Sequence, residues 1–170
     1  MRYVLLVALC TCALAQQQPD AAAQREAMKK LSFLVGKWSG DATVMRGPGN
    51  TVKVRQTEEV QYKLDGLVLL IEGTGRDPQS GEVKFNALAT VSYDDATRTY
   101  QFRSYNDGRY LDSEMKVPQN GFEWGYKAGP ADVRFTMKLN EKGEWVETGE
   151  VTLNGNPPRR NFEMTVRREK

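Results

Sequence analysis

From Lys53 onward the chain alternates. Apolar residues fall on every second position in run after run, and each run ends in a cluster of Gly, Pro, Asn or Asp. A period of two sends successive side chains to opposite faces of a strand, so each run reads as a strand with one buried face. Val54, Val60, Tyr62 and Leu64 share one face of the first long run, with Lys53, Arg55, Thr57, Glu59, Gln61 and Lys63 on the other. Val83, Phe85, Ala87, Ala89, Val91 and Tyr93 alternate without a break, and Thr99–Asn106, Val133–Leu139 and Trp145–Leu153 repeat the pattern. Asp65-Gly66 and Asp107-Gly108 are hairpin signals, and further turns fall at Asp77–Gly81, Asp94-Asp95, Gln119–Gly121, Glu141–Gly143 and Asn154–Pro158. About nine or ten strands joined by short turns ask for an antiparallel meander, which closes on itself to remove its edges.

The segment before the strands divides in three. Arg2, the apolar run Tyr3–Leu14 and the small-x-small site Ala13-Leu14-Ala15 make residues 1–15 a cleaved signal peptide, too short to span a bilayer, which takes about 20 apolar residues. Both cysteines, Cys10 and Cys12, lie inside it. Leu9 and Thr11 precede them where a lipoprotein signal has a small residue, so a lipid anchor is not expected. Export to the periplasm or the medium is expected, without a disulfide. Residues 16–23 read as a flexible linker in which Asp20 can cap a helix, and residues 24–170 as the folded domain. Met28, Leu31, Leu34 and Val35 recur at helical spacing, so Gln24–Leu34 reads as one short amphipathic helix.

Where that helix becomes a strand stands Gly36-Lys37-Trp38. A glycine permits positive φ and close backbone approach at the corner under a barrel floor. A tryptophan two residues on can plug the barrel end, its ring open to a cation. Phe162, Met164, Val166 and Arg168 share one parity of the last strand, and in a closed barrel first and last strands are neighbours. Gly36, Trp38 and Arg168 therefore read as a structural floor in which Trp38 and Arg168 stack.

Gly-x-Trp on the first strand with Arg near the end of the last resembles the lipocalin and fatty-acid-binding (calycin) superfamily. The segments LSFLVGKWSG, LDGLVLLIEG and VSYDDATRTYQFRSY resemble a bacterial family of unknown function, domain-of-unknown-function 1579, from about Leu31 to Arg168. The layout is also similar to nitrobindin-type barrels, which open with Gly-x-Trp-x-Gly, here Gly36, Trp38 and Gly40. The resemblance implies an all-β fold: a single antiparallel, up-and-down, calycin-like β-barrel with one short N-terminal helix. Nitrobindin-type barrels hold haem iron through a histidine. This chain has none, so a histidine-ligated haem is not expected, nor any other cofactor.

The same lack removes Ser–His–Asp and Cys–His catalysis and leaves only oxygen ligands for a metal. No metal site is expected; Asp94, Asp95, Asp107 and Asp112 read as turn formers. Charge is nearly balanced at +2, with both signs interspersed, which gives no nucleic-acid or membrane stripe. Gly73-Thr-Gly75 precedes no helix and reads as a strand bend or bulge. Gln56 and Glu58 lie on the apolar parity of a long strand. They either face the interior, or a β-bulge near residue 57 returns both to solvent. An inward carboxylate has a raised pKa unless paired, which makes Glu58 a candidate acid–base residue or ligand anchor.

Three functions follow. The leading one is an exported lipocalin-like barrel that binds a small, largely apolar molecule inside. Its candidate binding residues are Gln56, Glu58, Tyr62, Phe85, Tyr100, Phe102, Ser104, Trp124 and Phe135. The second is an enzyme acting on such a molecule through Glu58. The third is a filled barrel that docks a protein partner on an outer patch of Tyr105, Tyr110 and Trp145.

Overall fold

The computed structural model describes residues 18–45 and 49–170. The signal-peptide reading of residues 1–15 lies outside them. Helix α1 (Ala21–Met28) continues into a 3-10 segment, Lys29–Leu34. Ten strands follow: β1 (Gly36–Met45), β2 (Thr51–Lys63), β3 (Val68–Arg76), β4 (Val83–Asp94), β5 (Thr99–Asn106), β6 (Arg109–Met115), β7 (Gly121–Ala128), β8 (Ala131–Leu139), β9 (Trp145–Leu153) and β10 (Arg159–Arg168). All pairings are antiparallel. The order β6-β5-β4-β3-β2-β1-β10-β9-β8-β7 pairs each strand with its sequence neighbours, except β6 with β7 at the two edges, and joins the first strand to the last.

The sheet curls until its two edge strands meet. They share one backbone bridge, in which Lys116 and Glu123 exchange N–H···O bonds of 2.8 and 2.9 Å. Beyond it the Ser113 hydroxyl donates to the Gly125 carbonyl at 2.7 Å. The barrel is thus closed on nine sides by full ladders and on the tenth by a short seam.

Helix α1 starts at Ala21, three residues before the sequence reading placed it. Asp20 is the reason, because its carboxylate accepts the Ala22 and Ala23 amides, both at 3.0 Å. Asp95 accepts the Asp20 amide and the Gln24 side chain, and Arg25 pairs with Asp65, so two strand-connecting turns hold the helix across one end of the barrel. Met28, Leu31 and Leu34 are fully buried there.

Barrel side chains donate to carbonyls at the junction of α1 with the 3-10 segment and at the end of that segment, where helical partners run out. The Trp38 indole donates to Leu34 at 2.7 Å, the Tyr62 hydroxyl to Met28 at 2.6 Å and the Tyr100 hydroxyl to Ala27 at 2.8 Å. Arg168 donates to the carbonyls of Val35 and Phe33.

Trp38 pairs with Arg168 across β1 and β10, and the guanidinium carbon lies 4.1 Å from the ring centroid. Gly36 has φ of +127°, and a Cβ there would come within 2.6 Å of Arg168 Nη1. The glycine therefore serves both the corner and the arginine that passes over it. Trp38 also meets Trp145 edge-on at 5.8 Å, and Phe122 meets Trp145 likewise at 5.9 Å, so the interior next to the floor is filled.

Two expectations need correction here. Leu64 is not on the buried face of β2; it opens the turn Leu64–Gly66 with φ of +48° and is exposed. Trp145 is 2% exposed, so it shares no surface patch with Tyr105 and Tyr110. Those two tyrosines are exposed beside Arg103, which is bound to Asp112 through both carboxylate oxygens at 2.5 and 2.8 Å.

Candidate functional site

Beyond the packed floor the interior opens into a cavity of about 360 Å³. It extends to the end opposite α1, where Met45, Phe85, Asn106 and Phe162 stand on its wall. Its origin is a difference in side-chain size. On β3 and β4 the inward positions carry Gly73, Ala87 and Ala89 between Ile71 and Phe85; β5, β7 and β8 bring Phe102, Trp124, Tyr126 and Phe135. Trp124 stacks on Phe135 at 4.4 Å and 9°, and Phe102 leans on Trp124 at 4.6 Å. The result is one aromatic wall and one wall of mostly small residues.

The polar groups gather on the adjoining strands. β2 runs in continuous register with both β1 and β3, so no bulge intervenes at Thr57 and Gln56 and Glu58 both face inward. Gln56 Nε2 donates to Glu58 Oε1 at 2.7 Å. Glu58 lies opposite Gly73, and Gln56 opposite Gly75. A Cβ at Gly73 would sit 2.9 Å from both Glu58 carboxylate oxygens, and one at Gly75 would sit 2.8 Å from Gln56 Oε1. The two glycines make room for the two polar side chains to lie over the sheet. Gly73-Thr-Gly75 itself runs unbroken against β2; the register against β4 slips just beyond it, with Lys84 of β4 as the extra residue.

Sequence reasoning missed a second buried carboxylate. Glu147 on β9 is 8% exposed, the same as Glu58, and its Oε2 accepts the Trp145 indole N–H at 3.0 Å. It has the parity of Trp145 and Gly149, a signal present in the alternation itself. Burial pushes the Glu58 carboxyl from 4.5 up to about 8; the Gln56 bond opposes the rise and Glu147 adds to it. Burial likewise takes Glu147 to about 7, against hydrogen bonding from Trp145 and Trp124. Asn161 is the third omission. It sits where the β10–β9 register slips between Arg160 and Phe162, so strand parity does not place it inward. It lines the cavity, and its Oδ1 is buried with no partner among the described residues.

Of the residues singled out from sequence, Gln56, Glu58, Phe85, Phe102, Ser104, Trp124 and Phe135 meet on this cavity wall. Tyr62 and Tyr100 do not. They are inward but at the floor, where their hydroxyls hold the helix. Asp94 accepts the Ala96 and Thr97 amides, and Asp95 and Asp112 are engaged as described above. The chain has no histidine, and the polar side chains on the cavity wall include carboxylates, amides and hydroxyls.

An up-and-down barrel floored by one N-terminal helix, with its first and last strands paired, is a calycin-like barrel. The chain belongs to the family described as protein of unknown function (DUF1579), whose profile matches residues 23–107, from α1 through β5. Among solved structures, Rv2717c from M. tuberculosis is similar, with a TM-score of 0.61 at 12% identity over 85% of this chain and 98% of that one; the likeness shows the fold. A search of curated proteins finds no match. Among the described residues no helix is long and apolar enough to cross a membrane.

Proposed function

We propose that this chain is an exported, lipocalin-like barrel that binds a small, largely apolar molecule in its interior. The supporting observation is the 360 Å³ cavity with an aromatic wall, within the ~300–1,000 Å³ span of small-molecule sites. Export is inferred from residues 1–15 alone.

Native mass spectrometry of the full chain expressed in an exporting host, purified without detergent, tests both parts. The expected spectrum shows a chain beginning at Gln16 with a small adduct that organic solvent releases. Ala87→Trp, which fills the cavity from the small-residue wall, should remove the adduct. A bare mass for the unaltered protein, together with no uptake of a neutral naphthyl probe, would overturn the binding reading. A retained leader would overturn export.

A second reading is favoured by the two buried carboxyls with raised proton affinity, an arrangement that can supply a general acid at neutral pH. An enzyme of this kind predicts a Glu58→Gln variant that keeps the co-purified ligand but no longer converts it. Equal conversion by both forms rejects that role for Glu58.

A further inference from the structure

The polar lining of the cavity is one-sided. Gln56, Glu58, Ser104, Asn106, Glu147 and Asn161 face it, and among the described residues no lysine or arginine lines it. The basic side chains of the neighbouring strands are turned out and engaged elsewhere: Arg55 to Asp41, Arg103 to Asp112, and Arg160 to Glu150 and Glu163. Glu58 receives one side-chain donor, Gln56, while Glu147 receives the Trp145 indole with the Trp124 indole beside it. Among the described residues no side chain donates to Glu58 Oε2, and the buried Asn161 Oδ1 has no partner at all. Buried acceptors without donors are costly, and buried carboxylates without a cation more so. A molecule that brings donors and a positive charge would satisfy these acceptors and let the two carboxyls ionise. The aromatic wall suits the same molecule, since the faces of Trp124 and Phe135 attract both flat apolar bodies and cations.

We propose that the interior takes a cationic amine with a flat, apolar body, its ammonium group held by Glu58 and Glu147 and its body laid against Trp124 and Phe135. This assignment rests on the interior being a ligand site and adds the chemistry of what it holds. A carboxylate ligand, such as a fatty acid, is disfavoured, because it would place a third acid beside two glutamates with no base among the described lining residues to meet it.

The groups facing the pair set the pH behaviour. Glu58 looks across at Trp38 on β1 and Gly73 on β3; Glu147 looks across at Met137 on β8 and Met164 on β10. Apart from the two glutamates, the titratable side chain on the cavity wall is Tyr126. With no fixed charge nearby, the empty cavity keeps protons on its carboxyls at neutral pH. An ammonium group displaces them, so amine affinity rises with pH across the range where the glutamates ionise.

Isothermal titration of the purified protein with three probes on one naphthalene body tests this: 2-naphthylmethylamine, 2-naphthylmethanol and 2-naphthoate. At neutral pH the amine should bind about ten-fold or more tighter than the alcohol, and naphthoate should not bind measurably. Amine affinity should fall by about ten-fold at a pH one to two units below neutral, while alcohol affinity stays level. In the Glu58→Gln/Glu147→Gln protein the amine should lose its advantage. The wild-type comparison stands without the variant. An alcohol that binds as well as the amine, or a naphthoate that binds best, would overturn the amine assignment and leave the ligand-binding reading standing. Failure of all three to bind overturns both.

Discussion

Thermal stability should fall as pH is raised from about 5 to about 8.5, because folding holds protons on two glutamates that the unfolded chain gives up. In the unfolded chain Glu58 and Glu147 ionise near 4.5; in the barrel, burial holds Glu58 protonated to about 8 and Glu147 to about 7. Between those values the folded state binds more protons than the unfolded state. Each step up in pH therefore favours unfolding, and the contribution that is complete below 4.5 is gone above 8. At ~1.4 kcal/mol per pKa unit the loss amounts to several kcal/mol. Asp77, Asp95, Asp112 and Glu144 act in the opposite sense. Hydrogen bonds hold their carboxyls below the ordinary range, so what they contribute is lost only as pH falls further. Stability should peak near the lower end of the window. Melting curves at three pH values, for wild type and for Glu58→Gln/Glu147→Gln, check this. The double variant should lose most of the slope; parallel profiles for the two proteins would show that the pair does not titrate as placed.

Trp38→Ala should cost about 3–5 kcal/mol, a large share of the ~5–15 kcal/mol that holds a domain together. The ring is 1% exposed. It meets Trp145, carries the Arg168 guanidinium on its face and donates to the Leu34 carbonyl. Alanine removes the packing, frees a cation and leaves a helix-end carbonyl unpaired. Trp38→Phe keeps most of the packing and loses the indole donor, at roughly 1–3 kcal/mol. Urea unfolding should show a lower midpoint for both, in that order, with little change in slope. A cost under ~1 kcal/mol for the alanine variant would mean that the floor closes without the ring.

Strand positions were legible because they rest on local alternation and turn chemistry. β5 and β9 lie where the sequence places them, at Thr99–Asn106 and Trp145–Leu153. The Gly36, Trp38 and Arg168 floor was legible for a second reason: closing a barrel forces its first and last strands together. Depth was not legible. Alternation says that Tyr62 and Tyr100 face inward, but how far they lie from the mouth depends on register summed across several strands. They were therefore grouped with Phe102 and Trp124, although they belong to the helix. Asn161 escaped because a bulge shifts the register of β10, and parity is unreliable beside a bulge. Glu147 escaped although its parity was available, since the pairing of two acids from β2 and β9 exists only once the sheet is rolled.

On the proposed binding role, the way the helix is tied decides by which end the barrel would exchange a guest. Trp38, Tyr62, Tyr100 and Arg168 grip it from β1, β2, β5 and β10, points spread around the rim. A stopper fastened at four points is held firmly, and Trp38, Trp145 and Phe122 pack the interior above it. The vessel then resembles a cul-de-sac: a guest would enter and leave by one door, at the far end, where the cavity wall reaches Met45, Phe85, Asn106 and Phe162. Side chains at that door, Phe85 and Phe162 among them, then set how fast a guest comes and goes, while those at the bottom of the cavity set how tightly it stays.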